Sequence, residues 1–379
     1  MTIDGNSFQL SHKIDTPTLL LDVDIFQDNV LSLLEICRQN NVSLQPHAKT
    51  HRVAQLGAFQ QRLGCDGLCV AKVGEAENFA DAGIKKITIA YPVVGESKIV
   101  RVRELAKKID VSLAVDSVEG ARQIGNIFSQ DNLTCKIFMI INSGLNRDGV
   151  SPHDAVKMAV SINTILGIQL MGILTHEGSV YGSSSHAELL EASVNVSNSM
   201  VTLAHQLVAA GIKIKVVSMG ASASAKTAAT TPGINQIRPG IFAFNDLGQI
   251  ALGNATPATT AVRVIATVVS RPSPYTAVID AGSKTLSADL LPAKAFRDLY
   301  PGYGLIVGKS GWVIDRLSEE HGVLTRNALS TASELSIGEQ LQIIPNHVCT
   351  VFSSLNECTA ISRGEISAIW RTFSPGASR

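Results

Sequence analysis

Charge of one sign is the first thing this sequence lacks: 32 Lys and Arg balance 32 Asp and Glu, for a formal net charge of zero. Nucleic-acid binders and membrane-surface proteins ordinarily carry a basic excess, so neither class is expected. Long apolar runs are missing too, and no stretch approaches the ~20 residues that a bilayer-spanning helix needs. The opening MTIDGNSFQLSHKIDTP is polar and has no apolar h-region, so no targeting segment is expected. Cysteine is sparse (Cys37, Cys65, Cys69, Cys135, Cys349 and Cys358) and forms no Cys-x-x-Cys pair. That argues against a disulfide framework and for a reduced, cytoplasmic setting. No Gly-x-Gly-x-x-Gly follows the first strand-like run, which weakens a dinucleotide-binding reading.

What is present is apolar content with a regular rhythm. Hydrophobic residues make up 45% of 379 positions, enough for two domains or for a barrel with an added domain. Short apolar runs at 18–21, 42–44, 67–70, 87–90, 111–115, 137–141, 170–174 and 214–218 read as buried parallel strands. Amphipathic stretches of helical length lie between most of them. In 24–40, for example, Ile25, Val30, Leu33, Leu34 and Cys37 recur at helix-like spacing, and 73–82, 96–108, 118–128, 152–165 and 187–210 follow suit. Eight such units predict an α/β fold, a (β/α)8 TIM-type barrel over 16–256, with an open doubly wound sheet as the runner-up. Beyond 257 the runs 262–269, 276–279, 341–344 and 366–370 are strand-like and punctuated by Pro and Gly. A mainly β C-terminal domain is expected over 257–379, with residues 1–15 either joining it or loose.

Catalytic groups of a parallel barrel sit at the C-terminal ends of its strands. The second run leads into Gln45-Pro46-His47-Ala48-Lys49-Thr50-His51, where Lys49 between two histidines is a candidate carbonyl nucleophile. The sixth leads into Asn142-Ser143-Gly144-Leu145-Asn146-Arg147-Asp148-Gly149, a tight loop able to present the Arg147 guanidinium to an anion or a phenolate. The seventh leads into Thr175-His176-Glu177-Gly178-Ser179-Val180-Tyr181, which gathers a base, an acid and a phenol. After the eighth, the small residues Gly220, Ala221 and Ser222 leave backbone N–H groups for a phosphate. In the β domain, His347 and Cys349 form a His-x-Cys pair, and alternation along an extended segment would place both on one face. Two such ligands do not make a closed structural site, but they suit an open catalytic one. A lone lysine is ordinarily a surface residue, and a lone small-residue turn ordinarily binds nothing. Gathered at strand ends of one barrel, a lysine, an arginine and a phosphate cradle match a phosphate-bearing aldehyde cofactor.

At these residues the sequence resembles the fold-type III pyridoxal-phosphate (PLP) enzymes, the alanine racemase-like barrels. It is most similar to their metal-activated branch, which includes D-serine dehydratase and D-threonine aldolase. The matching stretches are DTPTLLLDVDIFQDNV, LQPHAKTHR, AKVGEAE, VDSVEG, NSGLNRDGV, THEGSVYG, IRPGIFAFND, VIDAGSKTLSAD, RLSEEHGVL and IPNHVC. The resemblance implies that Lys49 carries PLP as a Schiff base and that Arg147 lies near the cofactor ring. It implies that the 220–224 turn, with Tyr181, holds the cofactor, and that His347 and Cys349 bind a divalent metal. Zinc is favoured over manganese or magnesium by the thiolate. A homodimer acting on small D-amino acids is implied as well. The turn MGASAS is poorer in glycine than the family's usual version, and TVFSSLNE lacks the Thr-Val-Asn often found after the metal pair. Two reactions on β-hydroxy D-amino acids compete: dehydration, with Lys49 as base at Cα, and retro-aldol cleavage, with His51 or His176 as base on the β-hydroxyl. The His-x-Cys pair leans towards D-serine dehydratase. A non-catalytic PLP-binding protein is the alternative of another class.

Overall fold

The runs DVSLAV, CKIFMI and IQLMGIL are apolar on both faces and buried over most of their length. Such strands need cover on two sides, which a parallel sheet wrapped in helices supplies. A computed structural model describes residues 8, 14–327 and 333–373 and divides into two units.

One unit comprises Leu31–Ser183 and Ala187–Gly240, together with Phe373. Its sheet has eight parallel strands in the order Ser43–Leu44, Gln236–Ile237, Val216–Met219, Ile168–Leu174, Cys135–Ile140, Asp110–Val115, Lys86–Pro92 and Leu68–Val70. A bridge between His47 and Cys69 joins the two ends of that order. The helices between strands follow their apolar spacing. Helix Val118–Ser129 buries Ala121, Ile124, Ile127 and Phe128. The Ser117 hydroxyl caps it by accepting the Gly120 N–H at 3.1 Å, a contact that typically adds about 1 kcal/mol. Truncating fully buried Phe128 to alanine would cost about 3–5 kcal/mol. The expected alternating barrel with a following β domain is thus borne out, although its strand membership differs from the sequence reading. The run around TLLLD, taken for the first barrel strand, is strand Thr18–Asp22 of the other unit. The place it vacates in the count of eight belongs to Gln236–Ile237, only two residues long. An apolar run buried on both faces looks the same in either sheet, and a two-residue strand has no period to read.

The other unit comprises Ile241–Thr372, Ser184–His186 and the described residues of Met1–Val30. Its nine-stranded sheet runs Trp312–Leu317, Gly322–Arg326, Thr276–Ile279, Val262–Ser273, Thr18–Asp22, Glu357–Ser362 and Glu365–Arg371. Gln340–Ile344 also pairs with Val262–Ser273 and carries Leu305–Ile306 at its side. Of residues 1–15, only Phe8, Ile14 and Asp15 are described, and the rest of that expectation lies outside the described residues. Phe8 docks here, its N–H and carbonyl both bonded to the Gln342 amide at 2.8 Å. No helix among the described residues is long and apolar enough to cross a membrane.

Candidate active site

In the barrel unit a cavity of about 540 Å³ is lined by His47, Lys49, Arg147, His176, Gly220 and Arg238, among others. That volume suits a small cofactor together with a substrate. Lys49 sits in the one-turn helix Ala48–Thr50, which follows the barrel's first strand. The turn is clamped from both sides. The His47 N–H donates to Pro239 O at 2.9 Å and the Cys69 N–H to Pro46 O at 2.8 Å. Arg52, three residues on, has a left-handed φ of 52° that a non-glycine residue adopts only when held there. Its Nε bonds Glu75 Oε1 at 2.7 Å, and its carbonyl accepts the Phe373 N–H at 2.7 Å. Gly240 completes the clamp, because a Cβ there would lie 2.9 Å from the His47 carbonyl oxygen.

Arg238 is the principal residue that sequence reasoning missed. It follows the two-residue strand Gln236–Ile237, is 2% exposed and lines the cavity. Its Nε donates to Ser218 Oγ at 2.8 Å and its Nη2 to the Thr175 carbonyl at 2.7 Å, while Nη1 reaches only Cys69 Sγ at 3.9 Å. No carboxylate pairs with this buried guanidinium among the described residues. Beside it, the buried Nδ1 of His47 has no hydrogen-bond partner. Burial, reinforced by the positive charges of Lys49, Arg238, His176 and Arg147, pushes the His47 pKa well below the ordinary imidazole value. A buried cation without an anion and an orphaned ring nitrogen at one cavity wall fit a polar, anionic ligand.

The other residues singled out in the sequence divide into those at the cavity and those beside it. His176 lines it. Burial, opposed by the Glu177 carboxylate and aided by Lys49, Arg147 and Arg238, brings its pKa down to about 4, so the ring is a neutral base at physiological pH. Arg147 lines the cavity with a side chain 54% exposed, its Nε 3.1 Å from Asp148 Oδ1. His51 is not brought there. It is buried, accepts the Val53 N–H on Nδ1 at 3.0 Å and packs edge-on against Phe79. Burial lowers its pKa to about 3, against the hydrogen bonds with Gln60 and Val53. The N–H groups of Gly220 and Ala221, expected to be open to a phosphate, instead donate to Glu177 at 3.0 and 2.9 Å. The Ser222 N–H donates to the Tyr181 hydroxyl at 3.1 Å, and the Gly240 N–H to Ser222 Oγ at 3.2 Å.

In the other unit, His347 is the extended N-cap of helix Val348–Ser354, and Cys349 lies within that helix. The pair meets through a cap-to-helix turn and not along a strand, because the chain leaves its extended path after Gln340–Ile344. His347 Nδ1 is 2.8 Å from Asp289 Oδ2. Burial opposes charge on this imidazole, but hydrogen bonding and charge interaction with Cys349, then Asp246 and Asp289, outweigh it and raise the pKa to about 10. Asp246 is itself buried, capping two helix starts through the N–H groups of Gln249 and Val348. Among the described residues no three His, Cys, Asp or Glu side chains are grouped as a ready-made metal cage. The donor chemistry nevertheless fits a borderline-soft divalent ion: imidazole and sulfur, with a carboxylate fixing the ring from its other nitrogen.

A family model described as alanine racemase, N-terminal domain, matches residues 21–247, and a serine dehydratase domain model matches 261–361. A D-threonine aldolase of an Arthrobacter species is 28% identical over 371 residues, spanning 97% of this chain and 94% of that protein. The D-threo-3-hydroxyaspartate dehydratase of Delftia sp. (strain HT23) is 29% identical over 348 residues, 89% of this chain and 91% of its own. A cysteine-to-alanine variant of a D-threo-3-hydroxyaspartate dehydratase, solved in a metal-free form, superposes with a TM-score of 0.85 at 27% identity, covering 95% of this chain and 98% of that one. The D-threonine aldolase from Filomicrobium marinum superposes with a TM-score of 0.89 at 27% identity, over 99% of this chain and 100% of that one.

Proposed function

The chain belongs to the alanine racemase N-terminal-domain family, and from that premise we propose a lyase that uses PLP and a divalent metal on β-hydroxy D-amino acids, dehydration being its reaction. The observation that carries the proposal is the convergence of Lys49, the carboxylate-free guanidinium of Arg238 and the unpartnered His47 Nδ1 on one cavity. Cofactor binding is assigned to the barrel unit within the expected 16–256 span, and the metal residues to the β unit within 257–379.

Bound in the cavity, PLP would supply an electron sink for charge developing at the substrate's Cα. Lys49 Nζ would hold it and would also be the base for the Cα proton. Arg238 would serve the cofactor as a buried donor, and the turn after Val216–Met219, with Gly220 at the cavity wall, would lie on the phosphate side. Arg147, half-exposed at the wall, would orient the substrate carboxylate. His176, neutral at physiological pH, would exchange a proton with the β-substituent. His347 and Cys349 would hold the metal, with Asp289 fixing the imidazole. As a Lewis acid the ion would stabilise the departing hydroxyl. A sulfur ligand favours zinc. Sparse cysteines with no Cys-x-x-Cys pair support a reducing, cytoplasmic setting. A homodimer is proposed on family likeness.

Retro-aldol cleavage is the second reading, favoured by aldolases among the relatives, such as the two D-threonine aldolases above. Incubation of the metal-loaded protein with D-serine and D-threonine separates the two. Pyruvate and 2-ketobutyrate are expected for dehydration, glycine and acetaldehyde for cleavage. No product from any β-hydroxy D-amino acid would end both readings.

A further inference from the structure

Lys49 stands in a helix of one turn, Ala48–Thr50, and a single turn has no stability of its own. Whatever aims its amine must come from outside that turn. Arg52 closes it, donating its N–H to the Ala48 carbonyl at 2.9 Å from a backbone with φ of 52°. Such a left-handed conformation costs free energy at a non-glycine residue and persists only where neighbours over-determine it. Here one helix, Val73–Asp81, supplies two of them. Glu75, fully buried, accepts from Arg52 Nε on Oε1 at 2.7 Å, while its Oε2 accepts the Ala71 N–H at 2.7 Å and the Lys72 N–H at 3.3 Å. One carboxylate thus ties the residue that closes the Lys49 turn to Ala71, which lines the cavity. One helical turn after Glu75, the Phe79 ring meets His51 edge-on at 6.0 Å and Phe373 edge-on at 4.8 Å. Phe373 in turn donates its N–H to the Arg52 carbonyl at 2.7 Å. Arg52 is therefore gripped by its side chain and by its carbonyl.

We propose that Glu75 is a positioning residue for Lys49: acting through Arg52, it holds the turn that aims the lysine amine at the cofactor's aldehyde. This rests on the PLP reading above. The amine adds to the aldehyde carbon, and the aldehyde oxygen leaves as water as the C=N bond forms. Glu75 is not among the residues lining the cavity, so its effect falls on this condensation and not on how well the cavity is filled.

The test is Glu75→Gln in the full-length protein, which keeps the size of the side chain and removes the charge that Arg52 meets. Apo-protein is titrated calorimetrically with PLP and separately with pyridoxamine 5′-phosphate, which carries an amine in place of the aldehyde and so occupies the cavity without condensing with a lysine. Borohydride trapping follows condensation at Lys49. A misaimed amine is expected to weaken PLP about tenfold or more and to slow trapping at Lys49 to a similar degree, while pyridoxamine phosphate changes less than about threefold. Phe373→Ala loosens Arg52 from its other side without touching the buried ion pair, and it too is expected to weaken PLP and spare pyridoxamine phosphate. Equal weakening of both ligands would reduce Glu75 to a support of the cavity wall and overturn the assignment. Unchanged PLP capture by Glu75→Gln, or by Phe373→Ala should Glu75→Gln not fold, would overturn it too. Wild-type protein that takes up neither ligand, or that binds PLP with no label on Lys49, would overturn the PLP reading instead.

Discussion

Replacing Arg238 with methionine separates the buried guanidinium's work for the fold from its work for the cofactor. Within the protein it donates to Ser218 Oγ and to the Thr175 carbonyl. Leaving such buried acceptors unpaired costs about 1–3 kcal/mol each. Part of that is offset, since the variant no longer buries a cation that no carboxylate balances. The apo-protein should therefore be destabilised by a few kcal/mol at most, measured as a urea midpoint. Towards the cofactor, a hydrogen bond from a charged donor is worth about 1.5–3 kcal/mol. At about 1.4 kcal/mol per factor of ten, PLP should dissociate about 10- to 150-fold more readily. Absorbance titration reads this directly, and thermal denaturation reads it independently. At a PLP concentration of about 100 times the wild-type Kd, binding adds about 2.7 kcal/mol to the wild type and only about 0.4 to a hundredfold weaker variant. The PLP-induced rise in Tm should be nearly abolished while the apo Tm moves modestly. A variant that binds PLP as tightly as the wild type would refute the placement of Arg238 against the cofactor.

Acid should destabilise the protein through its buried histidines. The folded-state pKa falls to about 4 for His176 and about 3 for His51. The stability tied to each is complete above the ordinary histidine value of about 6.5 and is lost as pH falls towards the folded-state value. Urea midpoints from pH 7.5 down to 4.5 should fall, and His51→Leu should remove up to about 1.4 kcal/mol per pH unit from that slope; an unchanged slope would contradict the buried neutral state. His347→Ala and Cys349→Ala should each abolish metal-stimulated turnover while leaving the visible absorbance of bound PLP intact. Chelation of the wild type should act likewise and be reversed by zinc; full activity after chelation would sink the metal assignment.

How much of this was legible beforehand varied with the physical signal. Long periodic elements were: helices at 23–39, 118–129 and 186–209 lie close to where apolar spacing places them. The Lys49 turn was legible because a strand end concentrates chemistry in one short segment. Thr18–Asp22 was assigned to the wrong sheet because doubly buried strands carry no mark of their partners. Arg238 stands in the stretch IRPG, but the strand before it is two residues long and its burial is a tertiary fact. Asp289 and Asp246 lie 58 and 101 residues before His347, so only the folded chain brings them to it. Glu177 read as one acid among several; its hydrogen bonds to the turn 43–47 residues downstream distinguish it.

The central claim is that the Lys49 amine carries the aldehyde cofactor. Reducing PLP-loaded protein with borohydride, digesting it and sequencing the modified peptide by mass spectrometry tests it most directly. A pyridoxyl group on Lys49, with loss of both visible absorbance and turnover in Lys49→Ala, is the predicted result. A label on another lysine, or a Lys49→Ala protein that still binds the cofactor covalently and turns over, would contradict it.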